Sequence, residues 1–295
     1  MTFAATPHRR LFVAAAGASL LAAPRAFAAR TARTAEAELA ALEAEIGGRV
    51  GVAAWDTGGG AWIRRRADER FAMASSFKVL LAGAVLAAID GGEMAGDRPI
   101  RFSRADLLSY APRTRARVDN GAMTVLELCA AAVEVSDNTA ANLLLVQVGG
   151  PAGLTRRLRA LGDPTTRLDR TELALNTNLP GDPRDTTTPE AFVRVLDRLL
   201  LRDALSGPSR RQLADWMIHC ETGLTRLRAG LPSGWKAGDK TGTGERGAVN
   251  DVVIAWPPGR APILVAALLD ASSRPTDDLA AAHARIARIV VAAFG

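Results

Sequence analysis

The lysines are the most informative residues of this 295-residue chain. Three of its 37 positively charged side chains are lysine, at positions 78, 236 and 240, and all the others are arginine. A lysine amine can have its pKa lowered and can then accept a proton, whereas an arginine stays charged. Lys78 ends a Ser-x-x-Lys sequence that begins at Ser75, and Lys240 opens a Lys-Thr-Gly sequence. Lysine at these two positions indicates chemistry that arginine cannot perform.

Ser75 opens an apolar segment that predicts a helix ending near Gly91 and Gly92. At a helix N-terminus, unpaired backbone N–H groups and the helix dipole favour negative charge. Lys78 lies three residues later on the same face of the helix, within reach of the serine hydroxyl. A serine hydroxyl is a weak nucleophile until a neighbour takes its proton. Ser75 is therefore predicted to be a nucleophile, with Lys78 as its base or proton relay.

A Ser-Asp-Asn sequence at positions 136–138 lies between the two lysine motifs. Each motif alone is a weak signal, because a serine at the start of a helix is most often only a cap. Chance would place all three motifs in a chain of this composition only a few times in ~100,000. Together and in this order they resemble the signature of class A β-lactamases and penicillin-binding proteins.

The resemblance to class A β-lactamases extends over essentially all of the chain after residue 28. It implies an α/β sandwich whose site lies between two lobes. Strand patterns are found near both ends of the chain, at 49–56, 61–66, 234–241, 248–256 and 263–270. They predict one antiparallel sheet built from both chain ends and flanked by helices, with an inserted all-α lobe. The predicted boundaries are residues 29–70 and 226–295 for the α/β lobe and residues 71–225 for the all-α lobe.

Helical patterns fill the rest of the chain. Thr124 and Glu127 have the spacing of a capping box, and Thr188 followed by Pro189 places a cap and a first-turn proline at the head of another helix. The sequence Gly149-Gly150-Pro151 is expected to end a helix. The predicted helices cover residues 36–45, 75–91, 124–135, 139–148, 154–161, 188–203, 209–220 and 277–294.

The resemblance implies roles for the motif residues. Ser136 would pass a proton to the leaving lactam nitrogen, Asn138 would bind the side-chain amide of the substrate, and Asp137 would bond neighbouring backbone. Lys240 and Thr241 would bind the substrate carboxylate. Two further residues follow on the same strand. Gly242 would let the acyl chain approach the strand closely, and the backbone N–H groups of Ser75 and Thr243 would form an oxyanion hole.

A second group of residues concerns release of the acyl group. An acyl-serine ester is hydrolysed only if a base activates water beside it, and Glu172 is the candidate, with Asn176 four residues later holding the same water. The two residues resemble the Glu-x-x-Leu-Asn pattern of the family. Arg170 and Asp185 would join the two ends of this loop through an ion pair. Whether Lys78 or Glu172 is the base for acylation stays open.

The chain departs from the family pattern at several positions. Leu173 stands where many relatives have a proline after a cis bond, and we expect the Glu172–Leu173 bond to be cis as well. Val249 stands where some relatives have a carboxylate-binding arginine. Arg226 resembles the alternative donor of other family members, with a surface helix charge as the other interpretation, and Arg228 is expected to be the more superficial of the two. Tyr110, the single tyrosine, would form an aromatic wall of the site, with a plain loop anchor as the alternative.

Ala74 and Gly244 are not cysteines, so the disulfide beside the nucleophile of some carbapenem-hydrolysing relatives is absent. Carbapenem hydrolysis is accordingly less expected, although it is not excluded. The two cysteines, Cys129 and Cys220, are far apart in sequence, and buried free thiols are expected rather than a bridge. With three histidines and no Cys/His cluster, neither a zinc hydrolase nor any other metal or cofactor site is predicted.

The N-terminus predicts export. Two arginines at positions 9 and 10 precede an apolar run too short to span a bilayer, and Ala26-Phe27-Ala28 offers a cleavage site. The pattern favours a twin-arginine signal over a general secretory one. Removing residues 1–28 removes three arginines and no acids, so the net charge falls from +6 to +3 and nucleic-acid binding is not indicated. The run Arg64–Arg66 is interpreted as a solvated strand edge.

Taken together, the sequence predicts a periplasmic or secreted serine β-lactamase, a monomer that takes penicillins or cephalosporins and a catalytic water. Two alternatives remain: a DD-peptidase, which shares the first three motifs, and a β-lactam receptor that is acylated and stays so. A DD-peptidase would lack a use for Glu172 and Asn176, and a non-catalytic β-lactam receptor would be expected beside a transmembrane helix. Such a helix is not predicted after residue 23.

Overall fold

The computed structural model describes residues 1–2 and 22–295, with side chains from residue 32 onward. The predicted twin-arginine motif therefore lies outside the described residues. The helices of the described part are α1 (Ala22–Ile46), α2 (Phe77–Asp90), α3 (Pro112–Ala116), α4 (Val125–Glu134), α5 (Asn138–Gln147), α6 (Gly150–Ala160), α7 (Pro189–Leu200), α8 (Gly207–Ile218) and α9 (Thr276–Phe294). The strands are β1 (Arg49–Asp56), β2 (Trp62–Arg65), β3 (Phe71–Ala72), β4 (Pro99–Arg101), β5 (Ala122–Thr124), β6 (Thr186–Thr187), β7 (Lys236–Thr243), β8 (Val249–Trp256) and β9 (Ile263–Asp270).

The central sheet confirms the predicted fold class. In the described part of the chain it has five antiparallel strands in the order β2-β1-β9-β8-β7. Strand β1 pairs along its whole length with β9, from Arg49 opposite Asp270 to Asp56 opposite Ile263. The two ends of the chain thus meet in the middle of the sheet, and β7 is left as an edge strand that faces the helical part of the molecule.

Each face of the sheet covers its own apolar core. On one face, α1 and α9 pack on side chains such as Val50, Val253 and Val265. On the other face, the helices inserted between β3 and β7 pack on Ala53, Ile254 and Leu264 together with one another. Burying both faces explains why these strands are apolar almost throughout rather than alternating. The site predicted from the sequence lies where the second core meets the edge strand β7.

Helix α2 is buried on nearly all sides, with ten consecutive buried residues from Phe77 to Leu86. A helix that is apolar all round belongs inside a core, and this one holds the N-terminal turn that carries Ser75. The predicted capping box of α4 is confirmed, because the Thr124 hydroxyl accepts the Glu127 N–H (3.1 Å) and the Glu127 carboxylate accepts the Thr124 N–H (2.8 Å). Thr188 likewise caps α7.

Several local features differ from the sequence-based expectations. Helix α1 begins at Ala22 instead of near residue 36, so it includes the predicted cleavage site at residues 26–28. Helix α6 begins at Gly150, four residues earlier than predicted, because Pro151 occupies its first turn instead of ending the preceding helix. The short helix α3 was not predicted. The inserted part is not purely helical, since it also contains the two-stranded ladders β3–β6 and β4–β5. These strands have only two or three residues, too few to show a period of two.

The arginine run Arg64–Arg66 lies on and after the edge strand β2, as expected. Its charges are paired rather than simply solvated. Arg65 and Arg66 both contact Glu43, and Arg64 pairs with Glu190 at 2.8 Å. Hydrogen bonds from the two arginines, together with the Val50 N–H, lower the Glu43 pKa to about 2 against the opposing effect of its burial.

Cys129 and Cys220 are both buried and free. This confirms the expectation of two buried thiols rather than a disulfide.

His283 of α9 is a buried titratable group on the face of the sheet that α1 and α9 cover. Its Nδ1 lies 2.7 Å from the Leu279 carbonyl oxygen and its Nε2 lies 3.4 Å from that of Ala267. Burial, followed by the charge of Arg226, lowers its pKa to about 4 from 6.5. The folded protein therefore excludes a proton that the unfolded chain binds below pH 6.5.

We predict that folding stability falls as the pH drops from 6.5 to about 4, since only the unfolded state takes up this proton in that window. The His283 contribution is about 3 kcal/mol at most. In His283→Asn, urea unfolding measured across this range should have a shallower pH dependence than in the wild type. His219→Asn is the control, because the His219 side chain is 63% exposed. Equal slopes for wild type and His283→Asn would contradict the prediction.

Candidate active site

The predicted nucleophile lies on a tight 3₁₀ turn, Ala74–Ser76, that leads directly into α2. The turn is held against the sheet by Asn250 of β8, whose side-chain amide donates to the carbonyl oxygens of Ala72 (2.8 Å) and Met73 (2.9 Å). Asn250 was not predicted from the sequence. Its signal was the polar pair Asn250-Asp251 inside a strand that is otherwise apolar, because buried polar groups must find hydrogen-bond partners.

Lys78 is completely buried at the centre of the site. Its Nζ donates to Ser75 Oγ (2.9 Å), to Asn138 Oδ1 (2.6 Å) and to the Ser136 carbonyl oxygen (2.8 Å), and it lies 3.0 Å from Glu172 Oε1. Burial lowers the pKa of Lys78, and the charge of Glu172 opposes that shift. The spacing of three residues thus brings Ser75 and Lys78 into direct contact, as expected.

Glu172 contacts both the nucleophile and the predicted water-binding residue. Ser75 Oγ donates to Glu172 Oε1 (3.0 Å), and Asn176 Nδ2 donates to Oε2 (2.7 Å). Asn142 of α5 fixes the backbone of Glu172 from the other side, because its amide accepts the Glu172 N–H (3.0 Å) and donates to the Glu172 carbonyl oxygen (2.9 Å). Asn142 was also missed. It lies four residues after Asn138 on the same helix face, which is the signal that would have found it.

The loop that carries Glu172 is closed as expected. Arg170 Nε and Asp185 Oδ2 form an ion pair of 2.5 Å, and Asp185 also accepts the backbone N–H groups of Asp169 and Arg170. Asp185 is fully buried, which makes this a desolvated pair rather than a surface contact. The Glu172–Leu173 peptide bond is cis, which confirms the prediction made from the family resemblance.

Ser136 joins the two lysine motifs. Lys240 Nζ donates to Ser136 Oγ at 3.0 Å, and Lys78 Nζ lies 3.4 Å from the same oxygen. Burial lowers the pKa of Lys240 to about 8, with Cys220 opposing and Lys78 adding to the shift. Asp137 has the expected structural contacts. It caps α5 through the Ala140 N–H (2.9 Å) and accepts two N–H groups at the start of α3, those of Arg113 and Thr114.

The edge strand β7 presents a backbone N–H to the site. Gly244 N–H bonds the Ala248 carbonyl across the hairpin at 2.8 Å. Because N–H groups of an antiparallel strand alternate between its two sides, the Thr243 N–H points away from β8 and toward the nucleophile turn.

The Thr241 hydroxyl forms a hydrogen bond of 2.6 Å with the hydroxyl of Thr222. Thr222 was not predicted, since nothing in its loop sequence distinguishes it.

Arg226 is 7% exposed and its guanidinium spans the end of the sheet. It donates to the carbonyl oxygens of Gly242 (2.8 Å) and Asn250 (2.6 Å) and to Thr243 Oγ1 (2.7 Å). Arg228 is the more exposed of the two arginines, as expected, but it is not a free surface charge. Its Nε lies 2.5 Å from the buried Asp239, and its Nη2 donates to two carbonyl oxygens of α8.

Gly242 has a structural reason in addition to the predicted one. A Cβ at this position would lie 2.6 Å from the Met73 carbonyl oxygen and 3.2 Å from the Ser75 nitrogen. The missing side chain therefore lets strand β7 approach the nucleophile turn, rather than only the acyl chain of a ligand. Gly242 thereby fixes the distance between the N–H groups of Ser75 and Thr243.

A cleft of about 580 Å³ contains these groups. It is lined by Ser75, Ser109, Tyr110, Ser136, Asn138, Leu173, Asn176, Thr222, Arg226, Thr241, Gly242, Thr243, Gly244 and Glu245. Lys78, Glu172 and Lys240 lie directly beneath this lining. Tyr110 is half exposed at the mouth, and its carbonyl oxygen accepts the Asn138 N–H (3.0 Å). A larger groove of about 1030 Å³ runs along α7, but none of the predicted site residues lines it.

Comparison with known proteins agrees with this geometry. The family model of the β-lactamase enzyme family matches residues 34–294. β-Lactamase AST-1 of Nocardia asteroides is 46% identical over the full length of both chains. The carbapenem-hydrolysing β-lactamase KPC of Klebsiella oxytoca is 47% identical, with 87% of each chain covered. An ancestral class A β-lactamase structure (GNCA) is 54% identical with a TM-score of 0.87, covering 88% of this chain and 100% of that chain.

The chain therefore belongs to the class A β-lactamases. It is a hydrolase of β-lactams, an activity that confers antibiotic resistance. In the part of the chain that the structure describes, no helix is long and apolar enough to cross a membrane.

Gly242→Ala is predicted to push β7 away from the nucleophile turn. Overpacking of this kind costs about 1–3 kcal/mol of stability, and a displacement near 1 Å of the two N–H groups lowers kcat/KM roughly 10²-fold. Gly234→Ala is the matched control just before the same strand, because a Cβ there meets nothing within 4 Å. Hydrolysis of a chromogenic cephalosporin and thermal unfolding would be measured for both. Wild-type rates in Gly242→Ala would refute this account of the glycine.

Proposed function

We propose that the enzyme hydrolyses penicillins and cephalosporins through an acyl-enzyme on Ser75, followed by attack of a water activated by Glu172. The observation that carries the proposal is the position of Ser75 Oγ between Lys78 Nζ (2.9 Å) and Glu172 Oε1 (3.0 Å). Candidate bases must lie within about 3 Å of the proton they take. Both groups satisfy this requirement before a substrate is bound.

Glu172 takes the Ser75 proton in the acylation step of this proposal. Lys78 Nζ contacts oxygen acceptors on Ser75, Ser136, Asn138 and Glu172, the arrangement suited to an ammonium group, which has three donors and no acceptor. A protonated amine cannot accept a further proton. Lys78 then acts by holding Ser75 and Glu172 in contact and by stabilising the negative charge that develops between them.

The carbonyl oxygen of the opened lactam would lie between the N–H groups of Ser75 and Thr243. Backbone donors placed in advance at a developing oxyanion stabilise the transition state by several kcal/mol. Ser136, whose hydroxyl lies between Lys240 and Lys78, supplies the proton to the leaving nitrogen and takes a proton from the Lys78 ammonium group in return. Lys78 regains its proton from Glu172, 3.0 Å away, so Glu172 is again a carboxylate before deacylation. The relay therefore begins at Ser75 and ends on the side of the cleft where the leaving nitrogen would be.

Glu172 and Asn176 supply the deacylation step. Asn176 donates to Glu172 Oε2, while its own Oδ1 is buried and has no hydrogen-bond partner among the described residues. Buried polar atoms of this kind are commonly satisfied by an ordered water. A water that donates to Asn176 Oδ1 lies beside the Glu172 carboxylate and close to Ser75. That position is the one required for attack on the ester.

The cleft suits a ligand with one carboxylate and one side-chain amide. Lys240, Thr241 and Arg226 offer donors and positive charge for the carboxylate, and Asn138 and the half-exposed Tyr110 border the amide and its substituent. KPC is named for carbapenem hydrolysis, but this chain has Ala74 and Gly244 in place of a cysteine pair. Penicillins and cephalosporins are therefore the substrates proposed here.

The location and assembly of the enzyme follow from the sequence. We propose that residues 1–28 are removed as a signal peptide and that residues 29–295 act as a monomer outside the cytoplasm. The proposed catalytic and substrate-binding residues all come from one chain, which supports the monomer.

Glu172→Ala is predicted to acylate and then stall. Without the charge of Glu172, burial lowers the pKa of Lys78 unopposed by that carboxylate, so the neutral amine can take the Ser75 proton, whereas no base remains beside the deacylating water. Mixed with a chromogenic cephalosporin, the wild type should turn over well beyond one equivalent, whereas the variant should release about one equivalent and then proceed roughly 10²–10⁴-fold more slowly. Mass spectrometry of the quenched variant should find the acyl adduct on Ser75. Glu93→Ala, an exposed carboxylate remote from the cleft, is the control and should behave as the wild type.

Two results would contradict this mechanism. Sustained wild-type turnover in Glu172→Ala would remove the proposed base, and a stoichiometric burst from the wild type itself would favour the receptor or peptidase alternatives.

The lowered pKa of Lys240 predicts that activity falls at alkaline pH. Its pKa of about 8 means that its charge is lost above this pH, so attraction for the substrate carboxylate falls and KM rises. The kcat/KM of the wild type should therefore decline about tenfold per pH unit above this alkaline limit. Lys240→Arg keeps its charge at higher pH and should move the limit upward, with thermal unfolding as the check on folding. An unchanged limit in this variant would assign the titration to another group.

A further inference from the structure

Two fully buried carboxyl groups, those of Asp239 and Asp251, lie on the sheet face that does not carry Lys240. Asp239 is opposite Val253 and Thr241 is opposite Asp251 in the β7–β8 ladder. The two aspartates are therefore diagonal neighbours on one face, about 7–8 Å apart at the backbone, and the charge of Asp239 acts on the carboxyl group of Asp251. Neither has a role in the mechanism proposed above.

The pair lies under the segment that carries Arg226. Asp251 Oδ2 accepts the N–H of Leu227 at 3.0 Å, which fixes the residue directly after Arg226. Arg228 Nε lies 2.5 Å from Asp239 Oδ1, although its N–H is not aimed at that oxygen. Any side chain at position 223 would displace the Asp239 carboxyl, since a Cβ on Gly223 would lie 1.7 Å from Oδ2. The site is thus closed on every side by protein.

The remaining oxygens of the two carboxyl groups lack strong donors. Asp239 Oδ2 and Asp251 Oδ1 are buried without an aligned N–H or O–H donor among the described residues, and the Cys220 thiol is a weak donor to Asp239. Buried carboxylate oxygens without donors are costly, and two ionised carboxylates at this separation would also repel each other. One proton between the two groups removes both costs, because it gives one acid O–H and one acceptor.

The charges around the pair decide which aspartate holds the proton. Burial raises the pKa of Asp239 as well, but Arg228 and the Cys220 thiol oppose that shift, whereas Asp251 accepts only a backbone N–H. Burial raises the pKa of Asp251 well above its usual range, and the charge of Asp239 raises it further. The other titratable and charged groups facing this region are Arg226, Lys240, Cys220 and His283. Cys220 has a pKa of about 11 and His283 one of about 4, so both are neutral near pH 7.

We propose that Asp251 is held as the neutral acid and donates its proton to Asp239, and that this pair positions Arg226 at the substrate-binding cleft. One oxygen of Asp251 anchors the Arg226 segment through Leu227, and the other is tied to β7 through Asp239. The single negative charge of the pair balances Arg228. The role of Arg226 in this statement rests on the proposed function, whereas the shared proton does not.

The proton itself is tested by carbon NMR on enzyme labelled at the aspartate side-chain carboxyl carbon. At pH 7 one carboxyl resonance should have the shift of a protonated acid, and it should be absent from Asp251→Asn. Fully ionised aspartates at pH 7, or a protonated resonance that persists in Asp251→Asn, would overturn the shared proton. This readout does not depend on activity, so it separates the present inference from the proposed function.

The positioning role is tested with two variants at Asp251. Asp251→Asn mimics the neutral acid, since its amide can accept from Leu227 and donate to Asp239. It should keep the wild-type kcat and KM and be at least as stable at pH 7. Asp251→Ala removes both links and should raise KM for a cephalosporin about tenfold while changing kcat much less.

The outcomes are distinct. An Asp251→Asn variant with the high KM expected of Asp251→Ala would show that a charge on Asp251 is needed, and would overturn the proposal. An unchanged KM in Asp251→Ala would remove the positioning role. If Asp251→Ala does not fold, the NMR spectrum still tests the shared proton, and the KM of Asp251→Asn still tests whether a neutral group at position 251 is sufficient. Arg226→Gln gives the reference: an unchanged KM there would refute the proposed role of Arg226 and leave the shared proton standing.

Discussion

The buried ammonium group of Lys78 is the constraint on which the rest of the site depends. A lysine amine shielded from water must be surrounded by acceptors, because an unpaired buried charge is not tolerated. The acceptors come from separate elements: Ser75 from the start of α2, Ser136 and Asn138 from the turn between α4 and α5, and Glu172 from the loop closed by Asp185. Satisfying one charge therefore brings the nucleophile, the proton relay and the general base together.

The edge strand β7 completes the arrangement from the other side. It is free of a sheet partner along one edge, so its N–H groups and the Lys240 side chain can face the helical part. The glycine at 242 and the amide of Asn250 bring that edge within contact distance of the nucleophile turn. The active site is thus an interface between a strand edge and a helix N-terminus, two places where backbone groups are left unpaired by the secondary structure itself.

The sequence predicted the elements with strong local patterns. Strands β1 and β9 have the predicted bounds, and the other three strands of the central sheet differ by at most two residues at either end. Long apolar runs bounded by glycine and proline define where such strands begin and end. The ladders of two or three residues and the short helix α3 could not be predicted, since tertiary contacts determine the secondary structure of such short segments. Motif residues were found because their types are chemically unusual. Asn142 and Asn250 were missed because their side chains bond the backbone of distant segments, near Glu172 and Met73. The packing of Gly242 against Met73 likewise could be seen only in the structure.

The pairing of β1 with β9 has a consequence for how the enzyme is made. Residues 49–56 can find their place only after residues 263–270 have left the ribosome, because β9 separates β1 from β8 in the sheet. Contacts between such distant segments form slowly, and the intermediate exposes unpaired strand edges. The strand β7 that carries Lys240 depends on the same late step, since it joins the sheet only through β8. Resistance to the antibiotic would therefore begin only when almost the whole chain has been synthesised.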